Sequence, residues 1–220
     1  MKKLIAVLCL LVSVLSLNAQ DAKKLKDAGY EALKQKNLSV ALENFEKAYA
    51  ADTEFMSEQN NTLYNMGTCA YKLKKYNKAI KYFNLCFEKG YKGEKSCRYI
   101  SFCYKKMKDS DNYLATLNKG FEKYPNSLAI KKSLSKYYLL EANGVFAKGT
   151  KVLTQANAKV EKKTFDTNSD QYKAAQKEAH GFYAEALPVC EKALVIYPDY
   201  AQAKQLKVNI EKSLEQTAVK

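Results

Sequence analysis

Two glycines in equivalent settings constrain this chain more than any other feature. Gly29 is followed twelve residues later by Ala41 and sixteen later by Phe45, and Gly67 is followed at the same intervals by Ala79 and Phe83. Around them, apolar residues recur at three- and four-residue steps, as in Leu25-Lys26-Asp27-Ala28-Gly29-Tyr30-Glu31-Ala32 and Leu63-Tyr64-Asn65-Met66-Gly67-Thr68-Cys69-Ala70-Tyr71. That spacing is the stripe of an amphipathic helix. A glycine inside a helix costs about 1 kcal/mol against alanine. Bearing the cost twice in one register points to a close approach, in which the missing side chain lets a partner helix come in. Ala41 and Ala79 then open the second helix at the same contact, and Phe45 and Phe83 fill the wider end of the pair. The unit is a helix pair, and it is repeated.

The pattern resembles the tetratricopeptide repeat (TPR), a helix-turn-helix unit of about 34 residues. The resemblance places three units at about 22–55, 60–93 and 94–127. The third is anchored by its closing stretch, Phe121-Glu122-Lys123-Tyr124-Pro125, and departs from the family pattern with Ser101 at the glycine place and Tyr113 at the small-alanine place. A last match runs from Tyr183-Ala184-Glu185-Ala186-Leu187-Pro188 through Glu191-Lys192-Ala193-Leu194 to Tyr197-Pro198-Asp199.

Between these matches the period breaks. Residues 128–180 read as an irregular helical segment, with helices over 128–142 and 145–162 and a loop near 164–170, where Ser169 or Asp170 suits an N-cap. The segment is either a divergent repeat or an insertion. Residues 181–220 hold the last TPR helix and a capping helix over 200–216, which would close the open end of the stack. Pro188 should bend the helix that contains it unless it falls in the first turn. The expected fold class is all-α: a TPR-type α-solenoid of antiparallel helix pairs with an irregular insertion and a C-terminal capping helix. Sparse glycine, three prolines and an abundance of Ala, Leu, Lys, Glu and Gln agree with helices.

The first nineteen residues read as a segment outside the fold. Lys2 and Lys3 precede the uncharged stretch Leu4–Leu17, and small Ala19 follows. A basic start, a short apolar run and a small residue at the cut describe a secretory signal. The run is shorter than the ~20 residues a spanning helix needs, so no transmembrane anchor is expected after its removal. The expected locations are periplasmic or secreted. The net charge is +14 for the whole chain, and +12 once Lys2 and Lys3 are removed. Such an excess suits acidic partners, although lysine-rich solvated helix faces explain it equally. Export argues against nucleic acid.

No catalytic constellation stands out. There is one histidine, His180, with no cysteine near it, so neither a metal site nor a cofactor site is expected. The carboxylates Glu43, Glu46, Glu122, Glu185 and Glu191 sit at the spacing of solvated helix faces. The chain reads as a binding protein and not as an enzyme. Its cysteines after residue 19 are Cys69, Cys86, Cys97, Cys103 and Cys190. Export leaves two readings open: a disulfide between Cys86 and Cys97, on helices that should be antiparallel neighbours, or five buried core thiols.

In the family, first helices line a concave groove. The resemblance therefore implies partner-binding residues Lys26, Tyr30 and Leu33 in the first unit, Tyr64, Asn65, Thr68 and Tyr71 in the second, and Lys95, Arg98 and Tyr99 in the third. This set is basic and rich in tyrosine, and it suits an extended, acidic peptide segment. Lys26, Asn65 and Lys95 also match three places at which one TPR subfamily grips a peptide's terminal carboxylate, while Tyr30 and Tyr99 replace the other two. The function expected is a non-catalytic scaffold or adaptor of the cell envelope that binds protein segments. Binding of an anionic cell-wall or surface polymer is the alternative. Oligomeric state is not legible.

Overall fold

The computed structural model describes residues 20–218. They form ten helices, and the expected secretory signal at 1–19 lies outside the described residues. The helices are α1 (20–34), α2 (Leu38–Ala51), α3 (Thr53–Glu58), α4 (Asn60–Lys72), α5 (Tyr76–Glu88), α6 (Gly93–Met107), α7 (Ser110–Lys123), α8 (Leu128–Glu161), α9 (Asp170–Ile196) and α10 (Ala201–Thr217). They fall into two compact units, divided between Gly120 and Phe121. No helix among the described residues is long and apolar enough to cross a membrane.

In the first unit Gly29 and Gly67 each pack directly against a phenylalanine ring. A Cβ on Gly67 would sit 2.9 Å from the Phe83 ring, and one on Gly29 would overlap the Phe45 ring. Both phenylalanines are fully buried. In the third pair Ser101 replaces the glycine, and the residue sixteen places on is Leu117 in place of phenylalanine; both are buried. A larger residue on one helix is matched by a smaller one on the other, which conserves core volume.

The turns within the pairs share one device. Lys36, Lys74 and Lys108 all adopt left-handed backbone, with φ of 59, 59 and 60°. At the first turn the Lys36 N–H donates to the Leu33 carbonyl and Asn37 N–H to Ala32, both at 2.9 Å. At the second, Lys74 N–H donates to Tyr71 and Lys75 N–H to Ala70, at 3.0 and 2.8 Å. This pattern satisfies the last helix carbonyls and usually carries glycine at the left-handed place. Lysine stands there instead.

Lys36 to Lys74 is 38 residues, against 34 from Lys74 to Lys108. The extra length forms α3, a helix the sequence reading does not contain. Asp52 caps it by accepting from Phe55 N–H at 2.9 Å, and Met56 buries itself completely.

The second unit departs from expectation. The reading places a break between Ala142 and Val145, yet α8 runs unbroken from Leu128 to Glu161, and α9 runs unbroken from Asp170 through 181 to Ile196. Gly144 faces open space, so it costs only its intrinsic propensity. Packing against α9 on both sides of it outweighs that cost, as buried Ala142 and Gly149 show. The two helices are antiparallel. Ser135 Oγ donates to the Ala193 carbonyl at 2.9 Å, and far along the pair Tyr172 OH donates to Asn157 Oδ1 at 2.9 Å. Ser169, not Asp170, is the N-cap of α9 and accepts from Tyr172 N–H at 3.2 Å.

Pro188 lies inside α9, well past its first turn, and the helix continues. Pro188 and Ala184 are both exposed, and proline removes the N–H that would bond the Ala184 carbonyl, on the solvent side of the helix. The α10 helix runs back along α9. Cys190 Sγ contacts the Ala203 carbonyl at 3.3 Å, and His180 Nδ1 lies 3.0 Å from Thr217 Oγ1 near the other end.

Candidate functional site

The first unit carries an open cleft of about 370 Å³, lined by Tyr64, Tyr71, Lys95, Arg98, Tyr99 and Phe102. Two helix faces build it. Tyr64 and Tyr71 stand seven residues apart on α4, and Lys95, Arg98, Tyr99 and Phe102 follow the three- and four-residue steps of α6. Tyr99 is the keystone. Its ring stacks on buried Phe83 with centroids 4.7 Å apart and planes at 6°, and meets Tyr71 edge-on at 5.2 Å and Tyr64 at 6.3 Å. Offset and edge contacts of this kind add to the area the rings bury. The aromatic wall is thus anchored in the core behind it.

Charge in the cleft has one sign. Lys95 and Arg98 supply cations, and no carboxylate lines it. The Arg98 guanidinium lies 5.9 Å from the Phe102 ring centre, and Lys92 Nζ sits 4.3 Å over Tyr64. Burial, then neighbouring Tyr99, raises the Tyr64 phenol above the ordinary tyrosine range, and burial raises Tyr71. Both phenols therefore stay neutral donors near pH 7.

Five of the ten expected groove residues line this cleft: Tyr64, Tyr71, Lys95, Arg98 and Tyr99. The other five do not. Lys26 Nζ donates to Gln59 Oε1 at 3.2 Å and lies 5.1 Å over the Phe55 ring. Tyr30 OH is 2.8 Å from Thr62 Oγ1 and accepts from Asn61 Nδ2 at 3.3 Å. Residues of α3, of the start of α4 and of the link between them therefore engage the first-unit side chains. Thr68 Oγ1 donates to its own helix, at the Tyr64 carbonyl. Leu33 and Asn65 are half-buried on α1 and α4, outside the cleft lining. Phe102 was missed, although it occupies in the third unit the place that Thr68 holds in the second. That register was the available signal.

Cys86 and Cys97, for which a disulfide is one of two readings, contact different neighbours. Both thiols are free and buried. Cys86 Sγ contacts the Asn60 carbonyl at 3.8 Å, back towards α4, while Cys97 Sγ contacts the Thr116 carbonyl at 3.4 Å, towards α7. The sulfurs are held by different neighbours. Burial pushes the Cys69, Cys86 and Cys97 thiols up to about 11 and Cys103 to about 12. Such thiols are poor nucleophiles.

A second cleft, of about 350 Å³, belongs to the second unit. Leu139, Leu140 and Asn143 of α8 face Gln202, Gln205, Leu206 and Asn209 of α10, and none of these is charged. Among the described residues, no group of three or more His, Cys, Asp or Glu side chains could hold a metal ion.

Helix pairs closed by a glycine against a ring, turning through a left-handed residue, define an all-α repeat array. A TPR repeats protein from Bacteroides fragilis NCTC 9343 superposes with a TM-score of 0.58 at 24% identity, over 87% of this chain and 98% of that one. A tetratricopeptide repeat protein from Parabacteroides merdae ATCC 43184 reaches 0.49 at 13% identity, over 90% of this chain and 75% of its own. No family model matches the sequence, and no curated protein matches it. The first likeness and the geometry agree on the fold, which is that of the tetratricopeptide repeat.

Proposed function

We propose that the chain is a protein-interaction module that holds an extended, acidic peptide segment in the α4–α6 cleft. The observation that carries this reading is the lining itself: four aromatic rings, one lysine and one arginine, with no acid. The rings offer apolar contact area at low side-chain entropy, and the arginine fork can grip a carboxylate through two N–H donors. A terminal-carboxylate grip of the subfamily kind finds less support, because Lys26 and Tyr30 are engaged with Gln59 and Thr62 outside the cleft. The basic start, apolar run and small Ala19 support export of the module; amino-terminal sequencing of the protein from fractionated cells tests that.

A display library of extended peptides selects ligands, and fluorescence anisotropy then measures them. We expect a Lys95→Glu/Arg98→Glu variant, folded by circular dichroism, to bind selected acidic peptides at least about tenfold more weakly, as loss of paired charge contacts implies. Unchanged affinity would remove the cleft from the binding site. An amidated peptide that binds like the free acid is the expected result for an internal segment.

A further inference from the structure

The two edges of the first unit differ in charge far more than the chain average explains. At one edge lie the turns within the helix pairs, residues 34–37, 72–78 and 105–111; they carry nine lysines and two aspartates. At the other edge lie the connections between pairs, residues 52–60 and 88–95; they carry three lysines and five acids. The antiparallel pairing of successive helices puts each set on its own side.

The lysine edge is also poorly neutralised. Lys34 pairs with Glu31 at 2.7 Å and Lys78 with Glu46 at 2.8 Å. Lys36, Lys72, Lys75, Lys105, Lys106 and Lys108 are all exposed, and none takes part in an ion pair among the described residues. Asp109 is committed to capping α7, accepting from Asn112 at 3.1 and 2.8 Å. Between the second and third turns lies a recess of about 310 Å³, bordered by Lys74, Lys75, Tyr76, Asn77, Lys78 and Met107.

We infer that this edge is a second binding surface, separate from the cleft, and that it takes a linear polyanion: a polymer carrying a carboxylate or phosphate on each repeat. Lysine ammoniums are compact, strongly hydrated point charges, suited to diffuse attraction more than to forked recognition of one group. They come in a row, turn after turn. A string of anions laid along the row would meet lysines of successive turns, and attraction of this kind acts over a Debye length, about 8 Å at physiological salt. The inference does not depend on the peptide reading of the cleft.

The test uses the purified protein with two soluble probes that lack a peptide backbone, a polyuronate and inorganic polyphosphate, and vesicles containing anionic lipid. The edge variant is Lys72→Glu/Lys75→Glu/Lys105→Glu/Lys106→Glu. A control with the same change of net charge is Lys173→Glu/Lys177→Glu/Lys192→Glu/Lys212→Glu, and Lys→Gln at the four edge positions guards against misfolding. We expect the wild type to bind at least one polymer. The edge variants should bind at least about tenfold more weakly, with the slope of log affinity against log salt shallower by about three. The control should change affinity less than about threefold. Binding to only one probe identifies the anion as carboxylate or phosphate. Failure to bind either polymer, equal weakening by edge and control variants, or tighter binding to vesicles than to polymers would each overturn the inference.

Discussion

The first unit stacks short helix pairs around aromatic rings, while the second lays two long helices against each other over alanine. Phe45, Phe83, Leu42, Leu63, Met56 and Met66 fill the first core; Ala142, Ala179, Ala186, Ala193 and Ala203 line the second, with Tyr183, Leu206 and Ile210. The consequence appears at the surface. In the first unit the core reaches the cleft through the Phe83–Tyr99 stack, so the cleft wall is an outcrop of the packing. In the second, small residues let helices approach, and the cleft above them is made of leucines and side-chain amides. One unit offers charge and rings, the other a neutral face.

The largest effects should separate the two cores. Phe83→Ala should cost about 3–5 kcal/mol in urea unfolding and also abolish binding of cleft-selected peptides. Tyr183→Ala should destabilise by a similar amount, yet leave that binding within about twofold. If both substitutions weakened peptide binding alike, the link between one core and the cleft would be broken.

Next come two glycines on one helix. A Cβ at position 149 would sit 2.6 Å from Tyr183 and 3.0 Å from the Ala179 carbonyl, whereas at Gly144 it would meet nothing within 4 Å. Gly149→Ala should therefore cost about 2 kcal/mol through overpacking. Gly144→Ala should stabilise by about 0.5–1 kcal/mol through helix propensity. The same sign for both in thermal unfolding would mean that close packing does not govern this pair.

The thiols sharpen the contrast with pH. An unfolded thiol loses its proton near pH 8.5, whereas Cys69, Cys86 and Cys97 are pushed up to about 11 and Cys103 to about 12. Because the folded values lie higher, their contribution is complete below about pH 8.5 and is lost as pH rises through the folded values. The first unit holds these four, and the second only Cys190, also raised by burial. The fall in urea midpoint from pH 8 to 10.5 should be shallower in C69A/C86A/C97A/C103A than in C190A.

The smallest effect concerns the turns. Lys74→Gly should stabilise by about 0.5–1 kcal/mol, since glycine adopts a left-handed conformation that costs lysine about 1–2 kcal/mol. No gain in midpoint would show that lysine is at ease there.

Much of the first unit was legible because glycine and phenylalanine sixteen residues apart express one contact in the sequence. Its turns were not marked, because their left-handed residues are lysines, which carry no conformational signature. The partners of Lys26 and Tyr30 were hidden for a related reason: the 38-residue spacing signals extra residues, but not that they fold into α3 and bring Gln59 and Thr62 to those side chains. In the second unit the same glycine-to-ring contact exists as Gly149 and Tyr183. It escaped notice because 34 residues separate the two partners, so a search at fixed register passes over it.

That displaced contact bears on how chains of this kind can change length. Seven more helical residues follow Gly149 than follow Gly29, and six more precede Tyr183 than precede Phe45. Each arm has gained nearly two turns, about 10 Å, and the gain is matched on the two sides. Insertions that come in such pairs slide the tip outward and leave the glycine contact untouched. Unmatched ones would shift one helix against the other and pull Tyr183 off Gly149. Among natural variants of this hairpin, length should therefore vary by paired increments about the tip, with the glycine and the ring as the fixed point.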